Sequence, residues 1–302
     1  MRVLVTGASG MIGSAACDAL LARGHEVVGL SRDPARAVAT NPTVGWHTWS
    51  PATERPPSEA LEGVDAVLNL IGEVINQRLT PDAKERIRDS RVRATKNLVD
   101  GMTAMADGPR VLVSQCAIGY YGDRGDAIVD ESAPPADDWL AQLCVEWQDT
   151  ALEAEKARIR VVVLRSGHYL DPSGGLLKQL MIPFKLGVGG PLAGGRQYMP
   201  WIHRDDEIGL ILWALHNEQV SGVLNATAPN PVTNREFSKA LGRALHRPAI
   251  FPAPKLAVIA MRGSELADAV AGGQRVIPRR AVDLGFEFRF TEIEPALRDL
   301  LE

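Results

Sequence analysis

The chain has 302 residues, 45% of them apolar and 23% charged, and a formal charge of -4. Such a chain buries one large core or two, and without a basic excess it is not built to hold a nucleic acid. Three cysteines at irregular spacing make neither a disulfide framework nor a zinc site, so no metal is expected and a reducing cytoplasm fits best.

Residues 2–5 form an apolar strand that runs into Gly7-x-x-Gly10-x-x-Gly13 and then into a helical pattern over 14–23. This opening is too short in apolar residues for a signal peptide, and no run in the chain is long enough to span a bilayer. Glycines let a backbone turn tightly against a pyrophosphate, and the helix that follows aims free N–H groups and its positive dipole end at that phosphate. A strand, this glycine spacing and a helix in that order read as a dinucleotide-binding turn, with Thr6, Gly7, Ser9, Gly10, Met11, Ile12 and Gly13 around the phosphates.

Strands follow at 26–30, 65–71, 110–114 and 160–165, separated by helical patterns at 81–105 and 137–157. Continuous apolar strands alternating with helices predict an α/β Rossmann-type doubly wound parallel sheet with helices on both faces. In such sheets the ligand sits at the carboxyl ends of the strands. Gly7 to Gly13, Ser31 and Arg32, the segment Asn69, Leu70, Ile71, Gly72 and Glu73, residues Ser114 to Tyr121, and Arg165, Ser166, Gly167 and His168 should therefore surround one crevice. Beyond Tyr169 the pattern breaks into glycine-rich loops, a helix over 205–216, a short strand at 222–225 and a mainly helical tail. The expected division is a nucleotide-binding unit of 1–170 with 201–228, and a smaller, mainly helical substrate-capping unit of 171–200 with 229–302.

The tip of the second strand selects the dinucleotide. An acid there would hold a ribose 2′-hydroxyl, but the strand ends Gly29-Leu30-Ser31-Arg32. The Arg32 fork suits a 2′-phosphate, Ser31 adds a hydroxyl, and Arg36 lies one helical turn on, so NADP(H) is expected over NAD(H). Asp33 is the competing feature, because it too is placed to reach a free ribose hydroxyl.

Thr6-Gly-x-x-Gly-x-x-Gly13, Asn69-Leu-Ile-Gly72, Leu164-Arg-Ser-Gly167 and Trp201-Ile-His203-x-Asp205-Asp206 together resemble the extended short-chain dehydrogenases/reductases. Gly119-Tyr-Tyr-Gly122, Leu143-Cys-x-x-Trp147, Gln197-x-Met-Pro-Trp-Ile-His203 and Asn225-x-x-x-Pro-Asn-Pro231 narrow the match. They resemble an epimerase-like branch, often labelled nucleoside-diphosphate-sugar epimerase, that ends in a domain of unknown function, here about 252–301. The resemblance implies a nicotinamide cofactor, a nicotinamide lying over Arg165 to Gly167, and a small carbonyl or sugar-nucleotide substrate between the two units. Gln197, Met199, Trp201 and Asn225 are the expected substrate-pocket residues, and fold analogy implies a possible homodimer through the helices at 81–105 and 137–157. No nucleic-acid or membrane partner is expected.

The catalytic pattern of that superfamily is broken. None of the four tyrosines, at 120, 121, 169 and 198, has a lysine four residues on. The helix that should carry Tyr-x-x-x-Lys has Leu140 near the tyrosine position and Cys144 near the lysine position. Two readings stand beside each other: an oxidoreductase or epimerase with a substitute relay drawn from Tyr120, Tyr121, Cys116 and Ser114, or a non-catalytic NADPH-binding sensor or partner-binding protein. A substrate-assisted isomerase is a third. Arg91, Arg93 and Lys96 read as a solvated helix face, and His203, Asp205 and Asp206 as a helix cap rather than a metal cluster.

Overall fold

The computed structural model describes residues 1–253, 256, 259 and 263–302. Its core is a seven-stranded parallel sheet in the order β11-β7-β5-β4-β1-β2-β3. The strands are β1 (Arg2–Thr6), β2 (Glu26–Ser31), β3 (Gly45–Thr48), β4 (Ala66–Asn69), β5 (Val111–Ala117), β7 (Arg160–Ser166) and β11 (Gly222–Ala226). Alternation along each strand splits its side chains between two layers. Val3, Val5, Ala66, Leu68, Val113 and Leu164 enter one core, and Leu4, Val67, Leu112, Val161 and Val163 the other. Helices α1 (Met11–Leu21) and α8 (Arg204–His216) cover the first face; α5 (Ala94–Ala104) and α6 (Trp139–Leu152) cover the second. The chain leaves β1 toward β2 and β3, then returns to place β4 on the other side of β1. That reversal opens a crevice at the carboxyl ends of β1 and β4, the place where this architecture binds ligands.

Short strand pairs attach the remainder. β8 (His168–Leu170) runs parallel to β10 (Trp201–His203), β9 (Tyr198–Met199) pairs antiparallel with β12 (Val232–Thr233), and β6 (Ile128–Val129) pairs with β13 (Arg275–Val276). A separate apolar core joins Leu177, Met181 and Phe184 of α7 (Gly175–Lys185), Phe237 and Leu241 of α9 (Asn234–Ala244), and Leu297 and Leu300 of α12 (Ile293–Leu301). Thr233 and Glu236 close the capping box that starts α9. The mainly helical tail expected over 252–301 falls partly outside the described residues. Its described part holds α10 (Ser264–Ala271), α11 (Arg279–Asp283) and α12, and through β13 it reaches back to β6.

The helix expected over 81–105 is interrupted. α4 (Pro81–Arg88) passes into a π-helical turn at Asp89–Arg93 before α5 begins. α6 likewise ends in a 3₁₀ turn, Glu153–Ala157, closed by Arg158 at φ +62°. Strand β3 and helices α2 (Pro34–Thr40) and α3 (Ser58–Leu61) lie in a stretch whose periodicity is too short to read. Among the described residues no helix is long and apolar enough to cross a membrane.

Asp206, buried in the first turn of α8, fixes the end of the chain: it accepts the backbone N–H groups of Arg289 (2.7 Å) and Phe290 (2.9 Å). Replacing it with alanine strands both donors. Asp206→Ala should cost about 3 kcal/mol of stability, measured by denaturant unfolding, and should raise amide exchange first in the segment around residues 286–301.

Candidate functional site

The glycine turn leaves no space for side chains where the phosphates are expected. Gly7 stands at φ +64°, and a Cβ on it would lie 2.7 Å from the Leu70 carbonyl oxygen; on Gly13 it would lie 2.1 Å from the Gly7 carbonyl oxygen. Gly10 donates its N–H to the Gly7 carbonyl (2.8 Å) and closes the turn. Helix α1 then starts with no side-chain cap and no acidic residue in its first turn. Its first N–H groups and its positive end are therefore free for an anion. Ser9 and Gly10 are exposed, and Met11 and Ile12 are half-buried beside them.

A buried polar cluster levels the strand ends beneath this turn. Thr6 donates its hydroxyl to Asn69 Oδ1 (2.9 Å) and accepts the Leu70 N–H (3.1 Å). Asn69 Nδ2 donates to the hydroxyls of Thr95 (2.9 Å) and Ser114 (3.0 Å), and Trp147 donates its indole N–H to Thr95 (3.1 Å). Thr6, Asn69, Thr95 and Ser114 are all completely buried, so the Asn69 amide and the Ser114 hydroxyl are spent inside the protein. From this cluster the chain emerges through half-buried Leu70 and Ile71 to exposed Gly72 and half-buried Glu73.

At the tip of β2 the competition between acid and base has a structural answer. Asp33 caps α2 by accepting the Arg36 N–H (3.1 Å), and its own N–H rests on the Ser31 hydroxyl (3.1 Å). Arg32 and Arg36 are exposed, and their guanidinium groups have no partner among the described residues.

The loop after β5 brings the candidate proton carriers together without making them equivalent. Tyr121 is completely buried; its hydroxyl donates to Asn225 Oδ1 (2.7 Å) and accepts from Arg165 Nη1 (2.8 Å). Burial pushes the Tyr121 phenol up to about 12 in spite of the Arg165 charge beside it. Arg165 is held from its other side by Gln148, whose amide oxygen accepts from Nε (3.0 Å) and Nη2 (2.7 Å). The same guanidinium lies over the Tyr120 ring, 3.4 Å from its centroid, and Tyr120 is only partly buried. Cys116 is buried, with its thiol directed at the Cys144 carbonyl oxygen (3.5 Å). Leu140 and Cys144 do face this loop: a Cβ on Gly119 would lie 3.5 Å from the Cys144 sulfur and 3.9 Å from the Leu140 Cβ.

The substrate-pocket candidates lie in the packing. Gln197 donates to the carbonyls of Leu192 (3.1 Å) and Val270 (3.3 Å), Met199 sulfur accepts from Asn234 (2.9 Å), and Trp201 donates to the Asn230 carbonyl (3.2 Å). Asn225 is saturated by Tyr121 and by the Ile277 carbonyl (3.0 Å). All four are buried. His203 accepts the Asp205 N–H on Nδ1 (3.1 Å), stacks on Phe290 at 3.8 Å between ring centroids, and caps α8. No group of three metal-ligating side chains exists among the described residues.

Two residues at the crevice carry no signal in the sequence. Arg91, read as part of a solvated face, is instead half-buried, with its guanidinium 5.2 Å from the Trp147 ring. Its position four residues after buried Ile87 and three to four before buried Ala94 and Thr95 puts it on the inner face of the helix. The other is Glu207, completely buried on α8 with no cationic partner among the described residues. Its Oε1 accepts from the Ser166 hydroxyl (2.6 Å) and the Gln115 amide (3.2 Å), and Gln115 also donates to Ser166. These contacts fix the strand end that continues into Gly167 and His168, where burial pulls the imidazole down to about 4. Burial also raises the Glu207 carboxyl from 4.5 to about 7. The folded chain therefore holds a proton that the unfolded chain has already released between those values. Stability should fall as pH rises from about 4.5 through 7, by on the order of 3 kcal/mol. Thermal unfolding across that range should show the decline, and Glu207→Gln, which cannot ionise, should flatten it.

Known proteins resemble the chain in sequence and fold. A family model for the NAD dependent epimerase/dehydratase family matches residues 3–226, and one for a domain of unknown function (DUF1731) matches 253–300. A chloroplastic protein of Arabidopsis thaliana, named as an epimerase family protein SDR39U1 homolog, is 40% identical over 304 residues, spanning 100% of this chain and 87% of its own. The crystal structure of human epimerase family protein SDR39U1 with NADPH superposes with a TM-score of 0.88 at 36% identity, covering 100% of this chain and 99% of that one. A nucleoside-diphosphate sugar epimerase from Corynebacterium glutamicum aligns at a TM-score of 0.80 and 32% identity, over 100% of this chain and 58% of its own.

Proposed function

The chain belongs to the NAD-dependent epimerase/dehydratase family, and from that premise we propose that it binds NADP(H) and uses it on a small carbonyl or sugar-nucleotide substrate without a Tyr-x-x-x-Lys relay. One observation carries the cofactor reading. The side-chain-free cradle of Gly7, Gly10 and Gly13 opens onto an uncapped helix end, while at the β2 tip Asp33 is consumed as a cap and Arg32 is left free. The cradle takes the pyrophosphate through main-chain amides, and Arg32, with Arg36 behind it, takes the 2′-phosphate. The human relative crystallised with NADPH supports the same choice.

The nicotinamide supplies hydride transfer when bound. Everything else falls to the chain. Tyr120 is the proton-handling group in this reading, because it combines partial exposure with a fixed guanidinium against its ring. Tyr121 serves instead to hold Arg165, and Gln148 locks the same guanidinium from behind. Cys116 and Ser114 are buried in hydrogen bonds that leave them in supporting positions.

Two outcomes follow. Arg32→Ala should weaken NADPH by about tenfold to a hundredfold, the loss of a charge-assisted contact, and leave NADH affinity nearly unchanged in a fluorescence titration. Equal affinity of the natural protein for both nucleotides would contradict the assignment. In a panel of carbonyl compounds and sugar nucleotides, Tyr120→Phe should abolish NADPH-dependent turnover with cofactor binding intact. Tyr121→Phe should mainly destabilise the fold, by about 1–3 kcal/mol, since it leaves buried polar groups unpaired. Tight NADPH binding with no turnover on any member of a broad panel would favour the sensor or partner-binding reading.

A further inference from the structure

At the amino-terminal edge of the sheet, opposite the crevice, two imidazoles face each other. His25 lies in the turn between α1 and β2, where its backbone N–H donates to the Leu20 carbonyl (3.1 Å). His216 is the last residue of α8. Their Nε2 atoms stand 3.2 Å apart and their ring centroids 5.1 Å apart, with the planes tilted by 34°. His216 is exposed and His25 half-buried. No sequence pattern announces the pair, because 191 positions separate its members.

A single proton shared between the two nitrogens is one way to fill this gap. The distances equally suit a metal ion. Two nitrogens, each about 2.0–2.1 Å from one tetrahedral ion, stand about 3.3 Å from each other. The centroids are closer than an in-line N–H···N bond at this separation would place them. The ring axes therefore do not lie on one line, as they must not when both nitrogens point at an ion beside that line.

His216 is prepared for such a ligand. Its Nδ1 lies 2.7 Å from the Leu212 carbonyl oxygen, one turn back on α8. A carbonyl only accepts, so Nδ1 carries the proton and Nε2 keeps its lone pair. Histidines that bind a metal through one nitrogen are oriented in this way through the other. The local field also favours a cation. α1 ends at Leu21 and α8 at His216, so the negative ends of two helix dipoles meet here. The last turn of α1 has no basic residue, and that of α8 has only His216 itself. Glu218, exposed in the hollow beside His216, makes no hydrogen bond or ion pair among the described residues. On the opposing side stand Arg23, which donates to the Ala19 carbonyl (2.9 Å), and the Met1 amino group, 3.3 Å from His25 Nδ1.

We infer that His25 and His216 form a two-histidine site for a divalent transition-metal ion of the zinc class, bound through both Nε2 atoms. Imidazole pairs select such ions over magnesium or calcium, which prefer oxygen. Water and the Glu218 carboxylate are the candidates for the remaining positions. With two side chains the site is smaller than the closed set of a zinc module, and its role is that of a clip. The ion ties the end of α1 to the end of α8, two helices that pack on the same face of the sheet. The glycine cradle lies at the other end of α1, about 16 Å along the helix. The clip thus steadies the helix that frames the cradle and does not touch what the cradle holds.

The test uses the full chain, stripped of metal by a chelator and dialysed, with zinc chloride as the probe. One zinc ion per chain should bind, and the melting temperature should rise with zinc concentration. His25→Ala and His216→Ala should each weaken zinc by about tenfold or more and abolish that rise. His47→Ala, which removes an unrelated histidine on β3, should bind zinc as the natural chain does. With copper(II) in place of zinc, electron paramagnetic resonance should show two imidazole nitrogens in the natural chain and one in each of the first two variants. Should either alanine variant not fold, the same loss is expected of His25→Gln and His216→Gln. Absence of binding at micromolar zinc overturns the inference. So does an affinity that is the same in the natural chain and in both variants, which means adventitious surface binding only.

Discussion

The site depends on the buried side chain of Asn69. One amide ties the ends of β1, β4 and β5 to helix α5 through Thr6, Ser114 and Thr95, and Trp147 of α6 joins at Thr95. Each hydrogen bond contributes only about 1 kcal/mol net, but an orphaned partner in this low-dielectric setting costs more than that. The cluster is therefore all-or-none. It fixes the relative height of the strand ends, and so the gap between the glycine turn, the Leu70–Gly72 segment and the loop after β5. A slip of one strand by a residue would remove the Asn69 partners and bury the wrong side chains at once.

Around that hub the strand ends are lined by interior polar groups. The Gln148–Arg165–Tyr121–Asn225 chain crosses from α6 through β7 to β11, and the Gln115–Ser166–Glu207 group crosses from β5 through β7 to α8. Both converge on the end of β7, one residue before the glycine expected beneath the nicotinamide. Asn225 also carries the connection outward. Its N–H donates to Glu131 (2.9 Å), which further accepts the Arg280 N–H, and its amide donates to the Ile277 carbonyl. The carboxyl-terminal segment is thus wired to the strand ends as well as to the cap. Packing alone would tolerate apolar residues at these places; the polar chains specify orientation at some expense in stability.

The proton relay expected on one helix has no tyrosine or lysine there in this molecule. α6 carries Leu140 and Cys144 near the positions where a Tyr-x-x-x-Lys pattern would put its tyrosine and lysine. Tyr120 and Tyr121 on the loop after β5 and Arg165 on β7 lie together beside those two residues. Charge and proton-bearing groups still surround the same small volume, although they come from different elements. The fold tolerates such exchange because the strand ends, set by Asn69, hold the loops at constant spacing.

Much was legible in the residues alone. Glycine spacing after a strand, continuous apolar strands between helical patterns, and a strand tip ending in Ser31-Arg32 are local features, and local features determine turn geometry, sheet type and the charge offered to a ribose. The missing Tyr-x-x-x-Lys is equally a fact of the sequence. What only the tertiary structure decided is which polar groups stay open at the crevice and which are spent in the interior. Tyr120 and Tyr121 are neighbours with the same chemistry, yet one is half-open under Arg165 and the other is sealed against Asn225. Gln197 and Trp201 stand in a plausible pocket segment, yet they spend their donors on backbone carbonyls. Arg91, read with Arg93 and Lys96 as a charged solvated face, is instead turned toward Trp147 and Gly72. Burial is a property of what packs against a residue from distant parts of the chain, and no short pattern encodes it.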